Sequence, residues 1–413
     1  MTDYDIAKSC VQLALAIGQH RPGYIDAYFG PPKWQAQAMR ELRPLNVLAR
    51  ECEDLTAALD ENSTMDPQRR DYLAKEVRSM QTSLAILQGE APALLKEAEA
   101  IYDITPTWID ESVFERCHQL IDDVLPSGNS LVERMAAAKA NARVTLTRDS
   151  ELVATIIGEL RRRTQARFGL PPGESLSVLL VSDKNWSAYN WYLGELNSRI
   201  EINVDRPLHI MRLLHLMAHE GYPGHHTELS TKETCLARNR GWVEHTVTSL
   251  DSAACVVAEG IATQALQALM SKDELTDWCN TELFPRFGLA HLEAERELAL
   301  EVARLQLAGV RDNAAFLLHI ERSAPSKVLA YVVRYGLACE REAEQIVRFI
   351  SSCRSYIFTY RHGGELLAQL FVHKPGPVHW FARLLREPVT PSQIRSWIAA
   401  LAEKSTLPID SQR

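Results

Sequence analysis

The sequence predicts a mainly α-helical fold with one small antiparallel β-sheet beside a metal-binding helix. Three observations predict it. Apolar residues recur at helical spacing through most of the 413 residues. Only two short stretches are rich in β-branched residues. The histidines concentrate in one apolar segment directly after the second of these stretches. A composition of 46 % hydrophobic, 24 % charged and 7 % aromatic residues belongs to a globular chain, which excludes disorder and fibrous structure.

From Tyr72 onward, Leu73, Val77, Met80, Leu84 and Leu87 follow at steps of four, three, four and three, one apolar stripe on a helix. The strand-like stretches are Ser175–Ser182 and Arg199–Val204, with the turn-rich, aromatic segment NWSAYNWYLGELNS between them. Leu292, Leu298, Val302 and Leu305 mark a further helix. The last helix opens with Thr390 as N-cap and Pro391 at its first position, and buries Ile394, Trp397, Ile398 and Leu401. Breaks fall at PSGN (126–129) and FGLPPGE (168–174). They suggest an N-terminal helical region, 1–126, and a helical catalytic region, 127–413, joined in one intimate unit with the sheet at about 175–204.

The charge balance is 45 basic against 53 acidic residues, so attraction to nucleic acid is not expected, and Arg161–Arg163 read as a solvated helix face. The longest early apolar run, Leu13–Ile17, is far short of the ~20 residues that span a membrane. The acidic start MTDYDIAKSC does not resemble a signal peptide. Eight cysteines without a CxxC pair read as reduced thiols. The expected location is the cytoplasm.

Thirteen histidines are spread along the chain, yet four lie in LLHLMAHEGYPGHHTEL: His215, His219, His225 and His226. Burying so many imidazoles is costly unless something such as a metal satisfies them. In zinc hydrolases a helical His binds the metal while the Glu beside it handles the proton of the attacking water. His219 and Glu220 form such a pair. The usual second ligand position, one turn on, is Pro223. Were the helix unbroken, His226 would lie ~10 Å from His219, too far to chelate. A bulge at Pro223-Gly224 is therefore required, and it returns His225, or alternatively His226, to the metal. His215 reads as core or as a support to the ligands. A third ligand is supplied by Glu259, a lone carboxylate in the apolar stretch SAACVVAEGIATQAL, where it needs either a metal or a basic partner.

HEGYPGHH followed by AEGIAT resembles an uncharacterised bacterial family with an HE-x-x-P-G-H-H signature and a later Glu-Gly-x-Ala element, grouped with gluzincin-type zinc metallopeptidases. The resemblance implies a mostly helical fold, zinc on His219, one of His225 and His226, and Glu259, and Glu220 as general base. The family's later Pro…Tyr…Gly element is matched only loosely by Pro325, Tyr331 and Gly336, and Ile261 stands where an aromatic is usual.

An oxyanion donor is expected from YVVRYG (331–336) or RSYIFTYRHGG (354–364). These offer Tyr331, Tyr335, Tyr356, Tyr360, Arg361 and His362, of which Tyr331 and His362 are the leading choices. The strand at Arg199–Val204 is a candidate edge for pairing with a substrate backbone, and Asn203 a candidate contact. The segment QHRPGYIDAYFGPP (19–32) reads as a packed turn, with closure over a pocket as the alternative. Trp186, Tyr189, Trp191 and Tyr192 read as core or pocket wall. The expected activity is hydrolysis of amide bonds in short peptides or small amides by one Zn2+ per chain. A hydrolase of a non-peptide amide would use the same residues. A non-catalytic metal-binding protein would have no use for a carboxylate adjoining a ligand, because a structural site closes with four ligands.

Overall fold

The computed structural model describes residues 1–147, 150–184, 186–205 and 207–406. The fold is mainly α-helical with small sheets. Its first helix, Asp3–His20, starts in a capping box in which Thr2 accepts from the Asp5 N–H and the Asp5 carboxylate reaches back. The Tyr72 stripe lies on a helix, Pro67–Leu87, capped by Asp66, and buries Leu73, Val77, Met80 and Leu84. The last helix begins at Pro391, with the Gln393 N–H on the Thr390 hydroxyl, and Ile394 is fully buried.

Around 294–306 the helix forms, but its buried face differs from the expected one. Leu300, Ala303, Glu297 and Glu301 are buried, whereas Val302 is exposed. The helix packs Leu298 against one core cluster and Leu300 against another, so no single apolar stripe describes it. The second of these clusters also joins Phe114 and Ile121 to Val256 and Phe358, across the PSGN break.

A two-stranded ribbon pairs β1 (Ile25–Tyr28) antiparallel to Val247–Ser249. A three-stranded sheet contains β2 (Ser175–Val181), β3 (Ala188–Gly194) and β4 (Asn197–Asn203), in the order β2-β4-β3. Its antiparallel part is the hairpin of β3 and β4, with Ala188 opposite Ile202. The two stretches predicted as strands, now β2 and β4, pair with each other in parallel, Ser175 opposite Asn197. The segment read as turn-rich supplies β3, because alternate residues such as Asn190 and Tyr192 are buried and its aromatics suit a pleated surface. As the central strand, β4 has both edges occupied, so the outer edges of this sheet are on β2 and β3, not at 199–204.

Immediately after this sheet, helix α1 (Ile210–Glu220) runs through the largest core cluster, with Ile210, Leu213, Leu214, Met217 and Ala218 at 0 % exposure. It packs on α2 (Ala253–Leu269), which crosses α3 (Phe358–Phe371). The crossing is made of backbone. A Cβ at Gly260 would stand 2.6 Å from the Gly363 carbonyl oxygen, and one at Gly363 would stand 2.2 Å from that of Val256. Among the described residues no single helix is long and apolar enough to cross a membrane.

The crossing yields a test in which two effects oppose each other. Helix propensity alone would make Gly260→Ala stabilising by about 1 kcal/mol, while forcing a methyl against backbone costs about 1–3 kcal/mol or more. Gly260→Ala is therefore expected to lower Tm by several degrees in thermal denaturation. An unchanged or raised Tm would show that the two helices can separate without penalty.

Candidate metal centre

The chain around His219 departs from a helix with a bulge. Helix α1 ends at Glu220, residues 221–224 form a tight turn with a cis Tyr222–Pro223 peptide, and a new helix (His225–Lys232) starts with His225. Gly224 donates its N–H to the Ala218 carbonyl at 2.9 Å, and a Cβ there would lie 1.9 Å from the His219 carbonyl oxygen. Only glycine fits. The turn swings His225 against His219, with ring centroids 4.8 Å apart.

The third member comes from α2. His219, His225 and Glu259 offer ligand atoms within 4.8 Å of one another, and among the described residues this is the one such group of three or more. His219 Nε2 stands 3.5 Å from Glu259 Oε2, near the ~3.3 Å that ~2.0–2.1 Å bonds to a tetrahedral zinc impose. Glu259 has no Arg or Lys partner among the described residues. Its Oε1 accepts from the Tyr356 hydroxyl at 3.3 Å, and its Oε2 is buried with no hydrogen bond. A buried carboxylate oxygen left without a donor fits a cation.

His226 is turned the other way and is fully buried. Its Nε2 meets Glu174 Oε2 at 2.8 Å and its Nδ1 meets the Ser198 hydroxyl at 2.8 Å. Both ring nitrogens are thus occupied by protein. Glu174 also accepts from Tyr222 at 2.5 Å and from Arg161 at 2.8 Å. Arg161 therefore braces the turn, while Arg162 and Arg163 pair with Glu159 on their own helix.

Glu220 is buried against β3. Asn190 donates its side-chain N–H to the Glu220 backbone carbonyl at 2.5 Å, and its backbone N–H faces the carboxylate. Burial pushes the Glu220 carboxyl up to about 8, with Arg212 opposing and Asp26 adding to the shift. Burial, then Glu220, raise Glu259 well above the usual carboxylate range. His219 and His225 are held neutral by burial, His219 also by the neighbouring His225 and His215. Neutral imidazoles among costly carboxylates form a donor set that a divalent cation satisfies.

Two acidic residues at this site were not read from the sequence. Asp26 on β1 accepts from the Tyr189 hydroxyl, and its charge bears on both Glu220 and Glu259. The 19–32 segment thus contributes to the site, and an acid amid its aromatics was the available signal. Glu228, one turn after His225, takes Lys232 on Oε1 and leaves Oε2 buried and unpartnered. Its spacing from His225 was visible, but only the new helix makes it meaningful.

Tyr331 lies elsewhere, its hydroxyl between Asn313 at 2.8 Å and Glu111 at 3.3 Å. His362 faces away from the centre, 3.9 Å from Asp312, because Gly363 and not His362 occupies the crossing with α2. The tyrosines that reach the centre are Tyr356 and Tyr360, whose hydroxyls are 3.3 Å apart. Asn203 is structural, donating to the Lys184 and Trp186 carbonyls. Trp186 and Trp191 flank Tyr189, whereas Tyr192 binds Glu233.

No family model and no curated protein matches the chain. Two solved structures share its fold. One is a candidate lipoprotein from Colwellia psychrerythraea, 13 % identical with a TM-score of 0.50, covering 88 % of this chain and 72 % of that one. The other is a candidate lipoprotein of unknown function from Shewanella oneidensis, 14 % identical with a TM-score of 0.50, covering 89 % and 76 %.

Metal analysis separates the two adjacent histidines. After zinc loading, His219→Ala, His225→Ala and Glu259→Ala are expected to lose bound metal in elemental mass spectrometry. His226→Ala is expected to retain it and to lower Tm instead, since it strips a buried carboxylate of a partner. Retention of metal by His225→Ala and loss by His226→Ala would reverse the assignment.

Proposed function

We propose that the protein is a zinc-dependent hydrolase of amide (peptide) bonds, acting on short peptides or small amides, with His219, His225 and Glu259 holding one Zn2+. One observation carries the reading: a buried carboxylate oxygen without a hydrogen bond, Glu259 Oε2, facing two neutral imidazoles. Beside them Glu220 extends the helix of the first imidazole. When bound, the zinc would polarise water and the scissile carbonyl as a Lewis acid.

The chain's own residues supply the rest. Glu220, oriented by Asn190, takes a proton from the attacking water on its carboxylate and returns it to the departing nitrogen. Tyr356 and Tyr360 keep their hydroxyl protons, because burial raises both phenols well above their usual range. Tyr356 donates its proton to Glu259, and Tyr360, 3.3 Å from it, is the donor that turns to the oxyanion. Of the two outer edges of the sheet, that of β3 lies next to Glu220 and is the strand proposed to pair with an extended substrate backbone. Eight unpaired cysteines support a reducing compartment, and the candidate lipoproteins sharing the fold are the counter-indication to it.

Two variants test the roles. Glu220→Gln is expected to keep zinc and to lower kcat by about 10²–10⁴-fold on blocked tripeptides followed by mass spectrometry. Tyr360→Phe is expected to keep zinc and lose about 10–10³-fold in kcat with little change in KM. Full activity in zinc-loaded Glu220→Gln would remove the proposed base.

A further inference from the structure

The helix Ala294–Gln306 buries two acids, and only one of them has a partner. Glu301 is held by Arg304 through two bonds of 2.5 and 2.7 Å. Glu297, one turn earlier and 6 % exposed, makes no ion pair and no hydrogen bond through its carboxylate among the described residues. Burial pushes its carboxyl up, and the charges of Arg296 and His291 do not make up the difference. A carboxylate so enclosed and without a donor is costly.

That carboxylate lines a cleft. Residues 297, 300, 301 and 304 share one face of their helix, and residues 135, 138 and 139 share one face of the helix Leu131–Asn141. Together with His209 they enclose about 310 Å³, the open mouth included. His209 accepts the Arg212 backbone N–H on Nδ1 at 3.3 Å, and burial holds the ring neutral. Its proton therefore sits on Nε2. That nitrogen is 4.0 Å from Glu301, too far for a hydrogen bond. Lys139 is half-buried and makes no ion pair among the described residues, and its charge reaches His209. The cleft thus offers an uncommitted acceptor at Glu297 and uncommitted donors at Lys139 and His209, with Met135, Ala138 and Leu300 as its apolar wall. Glu297 and Glu301 balance Lys139 and Arg304, so the cleft carries both signs of charge and no net charge. A bare metal ion would be repelled by Lys139, and a simple anion by Glu297. A small molecule that bears both charges satisfies the two.

We propose that this cleft binds a small free α-amino acid, with its ammonium on Glu297 and its carboxylate on Lys139 and the His209 Nε2–H. Met135, Ala138 and Leu300 take its short side chain. His209 caps the start of α1 and His219 lies near its end, so ten residues at 1.5 Å each separate the cleft from the metal centre by ~15 Å. Free amino acids are a product class of the proposed hydrolysis, so on that reading the cleft takes up a product. The binding itself does not rest on it.

The test measures binding and separates the two readings. L-Alanine, propionate and ethylamine are titrated into the full chain by ligand-observed NMR, with and without zinc, and metal content is measured in parallel. L-Alanine is expected to bind about 10–100-fold more tightly than either singly charged analogue, as charge-assisted hydrogen bonds at both ends imply, in both metal states. E297Q is expected to weaken L-alanine by that factor and to leave propionate unchanged. K139Q is expected to weaken L-alanine and to leave ethylamine unchanged. No measurable binding of L-alanine, propionate binding as tightly as L-alanine, or an undiminished affinity in E297Q overturns the proposal. Should E297Q fail to fold, an undiminished affinity in K139Q does the same. If the protein takes up no zinc yet binds L-alanine through Glu297, the hydrolase reading fails and the cleft stands.

Discussion

The candidate metal centre depends on a carboxylate that does not belong to it. Glu174, in the turn before β2, is almost fully enclosed and holds Tyr222, His226 and Arg161 together. Tyr222 lies inside the turn that separates His219 from His225, and His226 directly follows His225. Fixing Tyr222 and His226 confines the three residues between them, His225 included. Hydrogen bonds from His226 and Tyr222 outweigh burial and hold the Glu174 carboxyl below its usual range. Losing one partner of so buried a group costs about 3–5 kcal/mol, so the turn is held more firmly than its two glycines and a proline suggest.

Around that turn, the folding of several distant segments converges on a small volume rich in acid. Glu220 comes from one helix, Glu259 from a second, Asp26 from the N-terminal ribbon and Glu228 from the helix His225 begins. Their mutual repulsion and burial oppose folding, and the protein meets this with a few neutral donors such as Tyr189 and Asn190. Orphaned oxygens on Glu259 and Glu228 mark where donors run out. Such an arrangement stores a demand for positive charge, which is the physical basis for reading it as a metal centre.

Much of this was legible in the sequence where information is local. Helical periodicity marked the helices, and the HEGYPGHH turn with a lone Glu259 marked the residues that come together. The proline at 223 showed that a regular helix could not present two ligands, although it did not show that a second helix would begin at His225. What was not legible depends on tertiary placement. Tyr331 and Tyr356 look alike in sequence, and the close approach of Gly260 to Gly363 selects the second. The strand 188–194 was hidden by turn-like residues, and its pairing with β4 took the edge expected of β4 itself. The buried face of the 294–306 helix was misjudged because Glu301 is balanced by Arg304, a pairing that hydropathy does not register.

The glycine crossing also distributes stiffness unevenly. Where two backbones touch, no side chain can change rotamer to absorb a displacement, so α2 and α3 are locked together, with Glu259 on the first, Tyr360 on the second and Tyr356 in the turn just before it. The opposite wall is a short two-stranded ribbon whose Asp26 accepts a hydrogen bond from Tyr189 of β3, with Phe29, just past the ribbon, packed on Tyr192. The two sides of the candidate site are thereby unequally braced, the Glu259 side by touching backbones and the Asp26 side by side-chain contacts.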